Sequence, residues 1–329
     1  MKNILVTGVG GGVGQSVLKA LAQTPYGVVA ADSEALAAGL HAAPKAYLGH
    51  YASDPQFVDR LLEICLSEQC GLIFAGHDVE LLPLSRNVDM FKAHGIVPVV
   101  SSPEIIRSCD DKLATTEFLN SLGLPAPETK KLSDVRAFER PIVLKPQRGG
   151  ARSRGTYVVK TENELDLYRQ LVDPDNCVAQ EYIDGDEYTC GSVTLDGKCL
   201  GVIVMRRILR DGDTYKAFVE HNPALEATVR TIVEALKPFG ACNIQLRVRD
   251  GQAYVFEINA RCSGTTAARA LAGFNEPQII ADYLLNGVEP TYSINEVTIL
   301  RYWQELLVPN SDIDQLRQDG FLRGDGTRL

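Results

Sequence analysis

The sequence has few metal-binding residues of the kind that hold zinc. None of its eight cysteines stands in a C-x-x-C arrangement, and only five histidines are present in 329 residues. Structural zinc sites need four closely spaced thiolate or imidazole ligands, so this scarcity argues against one. Scattered single cysteines are typical of a reducing compartment, and we therefore predict a cytoplasmic protein without disulfides.

Long apolar runs and an excess of positive charge are also absent. No stretch approaches the roughly 18 apolar residues of a membrane span, and the chain opens directly into an expected strand, with no expected signal peptide. The formal net charge is -9. This balance argues against nucleic acid and against an anionic membrane as partners, whereas a small anionic substrate remains compatible with it.

Hydrophobic periodicity divides the chain into two kinds of structure. Residues 1–105 alternate short apolar strands with amphipathic helices, which predicts a Rossmann-like α/β domain with a parallel sheet. Beyond residue 126 short strands dominate, which predicts α+β domains with antiparallel sheets. We expect three domains, at residues 1–105, 106–190 and 191–329, with one linking helix over Asp110–Leu122 and a loosely packed tail over Asn310–Leu329.

A glycine-rich turn follows the first strand. Gly8, Gly11 and Gly14 fit T-G-x-x-G-x-x-G, a pattern of NAD(P)-binding short-chain dehydrogenases, and Asp32 after the second strand could take a ribose hydroxyl. No tyrosine is followed by lysine four positions later, although those enzymes use such a pair. An NAD(P)-dependent oxidoreductase or epimerase therefore stays an alternative, beside a tight turn that needs glycine for packing.

The segment Phe256–Arg261 carries Glu257, Asn259 and Arg261 at alternate positions of one expected strand. Alternate residues of a strand share a face, which leaves Phe256 and Ile258 for the core. Hard oxygen ligands beside a fixed cation suit Mg²⁺ bound to nucleotide phosphates.

The preceding strand carries Gln245, which could join this face. A two-residue loop at Asp250-Gly251 would pair it with Phe256, on the wrong face. The metal interpretation therefore requires a loop with an odd number of residues, or a bulge.

A second polar segment follows the apolar strand that ends at Lys145. Residues 147–155 contain three glycines, three arginines and a serine, among them Gly149, Gly150 and Arg154. Backbone N–H groups freed by glycine and nearby cations bind phosphate oxygens, and such a loop can close over a reactive phosphate. Further on, the backbone at Glu181, Tyr182 and Ile183 could border adenine, and Glu187 could accept ribose hydroxyls.

These motifs, together and in this order, resemble the ATP-grasp superfamily, most closely the branch of the carbamoyl-phosphate synthase large chain and biotin carboxylase. The resemblance spans about residues 105–290 and gives residues 1–105 the place of that family's pre-ATP-grasp domain. It implies that Lys112 and Lys145 hold ATP phosphates, that Gln245, Glu257 and Asn259 ligate Mg²⁺ (or Mn²⁺), and that Arg261 stabilises the transferring phosphoryl group. This chain has Asn-Ala-Arg at residues 259–261 where the family usually has Asn-Pro-Arg.

The function that the resemblance implies is an ADP-forming ligase that activates a carboxylate as an acyl phosphate and joins it to an amine or similar nucleophile. Its partners would be small-molecule carboxylates and amines, and a homodimer is possible. A non-catalytic ATP-binding regulatory protein is a further alternative. Candidate substrate contacts are Asp78, Glu80, Arg206, Arg207, Lys216, Ser263 and Arg269.

Overall fold

The computed structural model describes residues 2–150 and 153–324. Three β-sheets organise this part of the chain, one mostly parallel and two antiparallel. The expected fold class, a Rossmann-like domain followed by α+β domains with antiparallel sheets, is confirmed. No described helix is both long and apolar enough to cross a membrane.

The first sheet has six strands and is parallel except at one edge. In spatial order the strands are β16 (Phe321–Arg323), β3 (Lys45–Leu48), β2 (Gly27–Asp32), β1 (Asn3–Val6), β4 (Cys70–Phe74) and β5 (Val97–Pro98). Alternate residues of β1 enter different cores, Ile4 and Val6 on one side and Leu5 on the other. Burial on both faces is what the near-continuous apolar strands predict.

Six helices accompany this sheet. They are α1 (Gly12–Leu21), α2 (Ala38–Ala42), α3 (Phe57–Ser67), α4 (Asp78–Arg86), α5 (Val88–Ala93) and α6 (Pro103–Asp110). The turn into α1 needs glycine at position 14, since a Cβ there would lie 2.4 Å from the carbonyl oxygen of Gly8. The amide of Ala267 donates to Ser16 Oγ at 2.7 Å, which ties α1 to the C-terminal part of the chain.

The second sheet is small and antiparallel. Its order is β6 (Thr129–Lys131), β9 (Cys177–Glu181), β7 (Ile142–Pro146) and β8 (Tyr157–Val159). Helices α7 (Lys112–Ser121) and α8 (Glu162–Arg169) belong to this segment. Strand β7 is central, so it brings Lys145 to the end of a strand paired on both sides, and the glycine-rich loop follows.

The third sheet is the largest. Its antiparallel order is β14 (Gln252–Asn259), β13 (Gly240–Arg249), β10 (Asp186–Leu195), β11 (Lys198–Arg210), β12 (Asp213–Val219) and β15 (Thr298–Leu300). Helices α9 (Pro223–Leu236), α10 (Thr266–Leu271) and α11 (Glu276–Asn286) belong to this segment, whereas α12 (Asn310–Asp319) packs against β16 and β3 of the first sheet. The domain limits at 105/106 and 190/191 stay a prediction, and β10 runs across the second of them.

Two sequence predictions about secondary structure need correction. The helix expected over Asp110–Leu122 is α7, but it begins only at Lys112, because the Asp111 carboxylate accepts from the amides of Leu113 and Ala114 and so caps its N-terminus. The tail expected to pack loosely forms α12 and β16, and β16 pairs with β3. Residues 325–329 of that tail lie outside the described residues.

Candidate active site

One cavity of about 620 Å³ lies where the three sheets meet. The α1 turn, the glycine-rich loop and the end of β14 all contribute to its wall. Many of the predicted ATP, metal and substrate residues line it: Asp78, Lys112, Lys145, Gly149, Gly150, Arg154, Glu181, Tyr182, Ile183, Glu187, Arg207, Gln245, Glu257, Asn259, Arg261 and Ser263. The structure therefore gathers around one cavity residues that stand up to 185 positions apart (263 − 78) in the sequence.

The register between β13 and β14 puts the three predicted metal ligands together. The loop has two residues, Asp250 and Gly251, both with positive φ (52° and 77°), and so lacks the odd number of residues that would align the faces by itself. A bulge then shifts the register, so that Gln245 pairs with Glu257 rather than with Phe256. The expected condition is met through the bulge.

The bulge also relocates Phe256, which the alternation had assigned to the core. Its side chain lines the cavity and is only partly buried, whereas Ile258 is 2% exposed as expected. Lys145 Nζ donates to the carbonyl oxygen of Phe256 at 3.2 Å and lies 5.6 Å from the ring centroid. The extra residue of the bulge thus supplies both an acceptor and an aromatic face to this lysine.

The oxygen donors on this wall fit a hard divalent cation. Among the described residues, the Glu257 carboxylate has no hydrogen bond or ion-pair partner, although it is partly buried and lines the cavity. Gln245 Oε1 accepts from Arg207 at 2.6 Å, and Asn259 Oδ1 accepts from Arg261 at 3.1 Å. Each amide oxygen keeps a second lone pair, so a carboxylate and two amide oxygens are available to Mg²⁺ or Mn²⁺.

Lys145 also lines the cavity, and its side chain is buried. Burial lowers the pKa of its ammonium group to about 8, Glu257 opposes that shift, and Lys112 adds to it. A buried lysine with a depressed pKa needs an anionic partner to hold its charge. A phosphate group in the cavity would provide that partner.

Two aspartates that the sequence analysis did not select hold the glycine-rich loop. Asp110 Oδ1 accepts from the Gly149 amide at 2.8 Å, and Asp111 Oδ2 accepts from Gln147 Nε2 at 2.7 Å. Lys112 Nζ donates to the Gly149 carbonyl at 2.6 Å. The run Asp110-Asp111-Lys112 therefore anchors the start of the loop. The feature of the sequence that could have indicated Asp111 is the preference for aspartate at the N-cap of a helix. Residues 151 and 152 of the loop lie outside the described residues.

Glu187 is clamped between two arginines. Its Oε1 accepts from Arg207 (2.7 and 2.9 Å) and its Oε2 from Arg247 (2.7 and 3.1 Å). Arg247 also donates to the carbonyl oxygen of Ile183 at 3.1 Å. Four N–H groups therefore occupy the four lone-pair sites of the carboxylate and fix its orientation. Arg247 was not selected from the sequence, where it resembled an ordinary exposed arginine of an alternating strand.

Arg261 connects β14 to the first domain. It forms a two-pronged ion pair with Asp78 at the start of α4, and one of these hydrogen bonds measures 2.9 Å. Burial of the Asp78 carboxyl disfavours its charged form, but Arg261 outweighs burial and keeps the Asp78 pKa below its usual range. The guanidinium is thus oriented at the cavity wall, beside Asn259.

Four of the seven predicted substrate contacts do not line the main cavity: Glu80 lines a neighbouring cavity, and Arg206, Lys216 and Arg269 lie elsewhere. Arg206 lies on the face of β11 opposite Arg207, pairs with Glu220 at 2.8 Å and stacks on Phe218. Lys216 also does not line it and lies 5.6 Å from the Tyr215 ring centroid. Arg269 is fully buried beneath the wall. We therefore leave these four out of the proposed substrate contacts of the main cavity.

Arg269 instead supports the wall from behind. It forms a fully buried ion pair with Glu276 at 2.8 Å and donates to Thr189 Oγ1 at 3.0 Å, and Thr189 in turn donates to Asn243 at 2.8 Å. Both Thr189 and Asn243 line the cavity. Gly191 allows this arrangement, because a Cβ at that position would lie 2.5 Å from both charged groups of the ion pair.

We expect Gly191→Ala to destabilise the protein strongly. The new methyl group must displace a buried guanidinium or carboxylate, and disrupting such a pair costs about 3 kcal/mol or more. Urea unfolding followed by circular dichroism measures the loss. Gly49→Ala is the control, since a Cβ there meets only an ordinary contact at 3.8 Å. Equal midpoints for the two variants would contradict the packing argument.

The N-terminal glycine turn satisfies its own polar groups. Asp32 Oδ2 accepts from the Gly10 amide at 2.7 Å, so the carboxylate proposed for a ribose is bonded to the turn itself. Glu80 lies beneath the turn and accepts from Thr7 Oγ1 (2.7 Å) and from the amides of Gly76 and His77 (3.1 and 3.0 Å). Burial raises the pKa of Glu80 to about 7 despite these donors. Glu80 does not line the main cavity but a neighbouring one.

Comparison with known proteins agrees with this geometry. Residues 173–305 match the model of a family described as ATP-grasp in the biosynthetic pathway with Ter operon. This part of the chain therefore matches an ATP-grasp domain. Residues 4–100 match the PylC-like N-terminal domain, so the α/β domain precedes the ATP-grasp match along the chain.

Relatives of known identity include large synthases. The chain is 25% identical over 286 residues to the carbamoyl phosphate synthase large chain of Thermotoga petrophila, covering 74% of this chain and 25% of that protein. The chain thus spans about a quarter of the length of this relative.

Solved structures share the fold of this chain at low identity. An N5-carboxyaminoimidazole synthetase from Staphylococcus aureus, complexed with ADP, matches with a TM-score of 0.67 at 16% identity. The match covers 97% of this chain and 96% of the synthetase chain. A biotin carboxylase from Campylobacter jejuni, complexed with β,γ-ATP, matches with a TM-score of 0.68 at 17% identity. The match covers 90% of this chain and 74% of the biotin carboxylase chain.

Proposed function

We propose that this protein is an ATP-dependent, ADP-forming ligase that activates a carboxylate as an acyl phosphate and transfers the acyl group to an amine. The observation that carries the proposal is the convergence of the oxygen-donor wall, Lys145 and Arg261 on one cavity that Gly149 and Gly150 of the glycine-rich loop also line. Phosphoryl transfer needs alignment and charge neutralisation more than a protein nucleophile, and this set supplies both. The similarity to carbamoyl phosphate synthases supports the reaction class.

In the first step an oxygen of the substrate carboxylate attacks the γ-phosphorus of ATP. The bond to the β–γ bridging oxygen breaks, and ADP leaves with that electron pair. Lys145 and Lys112 would neutralise the phosphate oxygens, and Arg261 would donate to the oxygens that gain charge in the transition state. The loop around Gly149 and Gly150 would exclude water from the acyl phosphate.

In the second step the amine nitrogen attacks the acyl carbon. The C–O bond to phosphate breaks, inorganic phosphate leaves, and the nitrogen loses its proton to phosphate or solvent. Asp78 and Ser263 line the cavity beside Arg261 and are the proposed contacts for the amine and the acid. Arg207 is better placed to orient Glu187 and Gln245 than to bind the acid directly.

Gln245, Glu257 and Asn259 would hold Mg²⁺ or Mn²⁺. When bound, the metal ion supplies charge neutralisation of the ATP phosphates. Glu181, Tyr182 and Ile183 would border the adenine, and Glu187 would accept from the ribose hydroxyls in exchange for part of its hydrogen bonding to Arg207 and Arg247. All eight cysteines are free and buried, which supports the cytoplasmic location, and a homodimer stays a prediction.

ATP binding should weaken as the pH rises through the pKa of Lys145. The ammonium form is the one that binds phosphate, and its population falls about tenfold between pH 7 and pH 9 for a group with a pKa of about 8. Calorimetric titration with the non-hydrolysable analogue AMP-PNP at several pH values measures the change. Lys145→Arg keeps the charge without titrating in this range, so its affinity should stay flat. A flat wild-type profile would remove Lys145 from the phosphate site.

Hydroxylamine trapping tests the proposed reaction and does not require the natural amine. The protein is incubated with ATP, Mg²⁺, hydroxylamine and pools of amino acids, peptides and sugar acids. We expect ADP and acyl hydroxamate to form in equal amounts in at least one pool, because hydroxylamine intercepts the acyl phosphate. Release of AMP and pyrophosphate would contradict the mechanism. Tight ATP binding without hydroxamate in any pool would favour a regulatory ATP-binding protein instead.

A further inference from the structure

A second cavity of about 540 Å³ lies at the carboxyl ends of β1 and β2. Gly11 and His77 line both this cavity and the main one, so the two spaces share a boundary. In open parallel sheets this edge is where ligands bind. A ligand in the main cavity beside Asp78 could therefore extend into the second one.

The polar lining of the second cavity is acidic. Asp32, Glu34 and Glu80 contribute carboxyl groups, and the basic residues described around the cavity are two histidines, His50 and His77, with no lysine or arginine. The anion-binding capacity of the glycine turn is reduced here, because the Gly10 amide already donates to Asp32. A phosphate group would meet three carboxyl groups without a compensating lysine or arginine, which argues against a dinucleotide and favours a positively charged ligand.

The rim of this cavity is apolar. Leu36, Val79 and Tyr51 line it and are 67%, 61% and 59% exposed. Side chains of this kind would lose much of their exposed apolar surface if an alkyl chain lay across them, which is favourable. The Tyr51 hydroxyl donates to Glu34, so one rim residue also fixes the orientation of a carboxylate. The cavity thus offers an apolar passage to an acidic end.

We propose that the second cavity binds the distal end of the amine substrate, and that this end carries a second positive charge on an alkyl chain. The inference rests on the proposed ligase function, since it takes the reacting amine to lie beside Asp78 in the main cavity. The substrate class is accordingly a diamine or an amine with a basic side chain. Asp32 and Glu34 would pair with the distal charge, and Val79 and Leu36 would contact the chain.

Binding of simple diamines tests this proposal. The full chain is titrated with α,ω-diaminoalkanes of three to six carbons in the presence of ADP and Mg²⁺, and dissociation constants are read from saturation-transfer NMR. Each diamine is compared with the monoamine of the same length. We expect at least one diamine to bind about tenfold more tightly than its monoamine, the effect of one added charge pair at a partly exposed site.

The double variant Asp32→Asn, Glu34→Gln should abolish this preference. Glu63→Gln also removes one negative charge from the first domain but lies on the exposed side of α3, so it should leave the preference intact. Equal binding of diamines and monoamines to the wild type, an unchanged preference in the double variant, or displacement of the diamine by NADPH would each overturn the proposal. AMP-PNP binding, measured on the same samples, reports separately whether the ATP site and the proposed function hold.

Discussion

Glu257→Gln is expected to lower ADP formation by about a thousandfold or more, since it removes the only carboxylate among the three proposed metal ligands and metal clamps supply several kcal/mol of transition-state stabilisation. The side chain is isosteric, and the described residues give the Glu257 carboxylate no hydrogen bond to lose. The thermal unfolding midpoint should therefore stay unchanged. Steady-state rates of ADP release at saturating Mg²⁺ and substrate measure the loss of activity. Differential scanning calorimetry measures the thermal unfolding midpoint.

Glu63→Gln serves as the matched control for Glu257→Gln. It makes the same chemical change at an exposed helix position, where Glu63 pairs with Arg60. Its rate should equal that of the wild type. If Glu257→Gln retained more than a tenth of the activity, the proposed metal wall would be wrong; if it unfolded, the carboxylate would have a structural role that the contacts do not indicate.

Arg261→Lys should reduce the turnover number by about a hundredfold while leaving ATP affinity nearly unchanged. A lysine cannot reproduce the two-pronged pair with Asp78 and cannot present two donors to developing phosphoryl charge, which is a transition-state effect. Comparing kcat with the AMP-PNP dissociation constant separates an effect on the transition state from an effect on ATP binding. The same exchange at the exposed Arg210, paired only weakly with Asp211, is the control. A change confined to ATP affinity would place Arg261 in binding rather than in transfer.

The metal wall shows how far the sequence could predict the site. The alternation of polar and apolar residues identified Glu257, Asn259 and Arg261. The turn residues Asp250-Gly251 showed that a simple two-residue loop would place Gln245 on the opposite face of the sheet. The sequence could not choose between an odd loop and a bulge, because the bulge at Phe256 is decided by long-range pairing and by Lys145, which is 111 positions away.

The residues that the sequence analysis missed act through distant partners. Asp111 resembled one more residue inside a helix, but it ends one helix, caps the next and holds the phosphate loop. The role of Arg247 becomes visible only in the folded sheet, where β13 pairs with β10 and places Arg247 beside Glu187. The adjacent pair Arg206 and Arg207 could not be separated either, because a strand sends neighbours to opposite faces and only the packing says which face is the cavity.

The central claim is that this cavity binds a metal–ATP complex through Gln245, Glu257 and Asn259. Electron paramagnetic resonance of Mn²⁺ with AMP-PNP tests it most directly, since the measurement needs neither the acid nor the amine. The account predicts that wild-type protein and Glu63→Gln convert the spectrum of Mn²⁺–AMP-PNP into that of an immobilised ternary complex, and that Glu257→Gln largely fails to do so. A wild-type spectrum identical to that of Mn²⁺–AMP-PNP in buffer, or an equal ternary complex with Glu257→Gln, would contradict it.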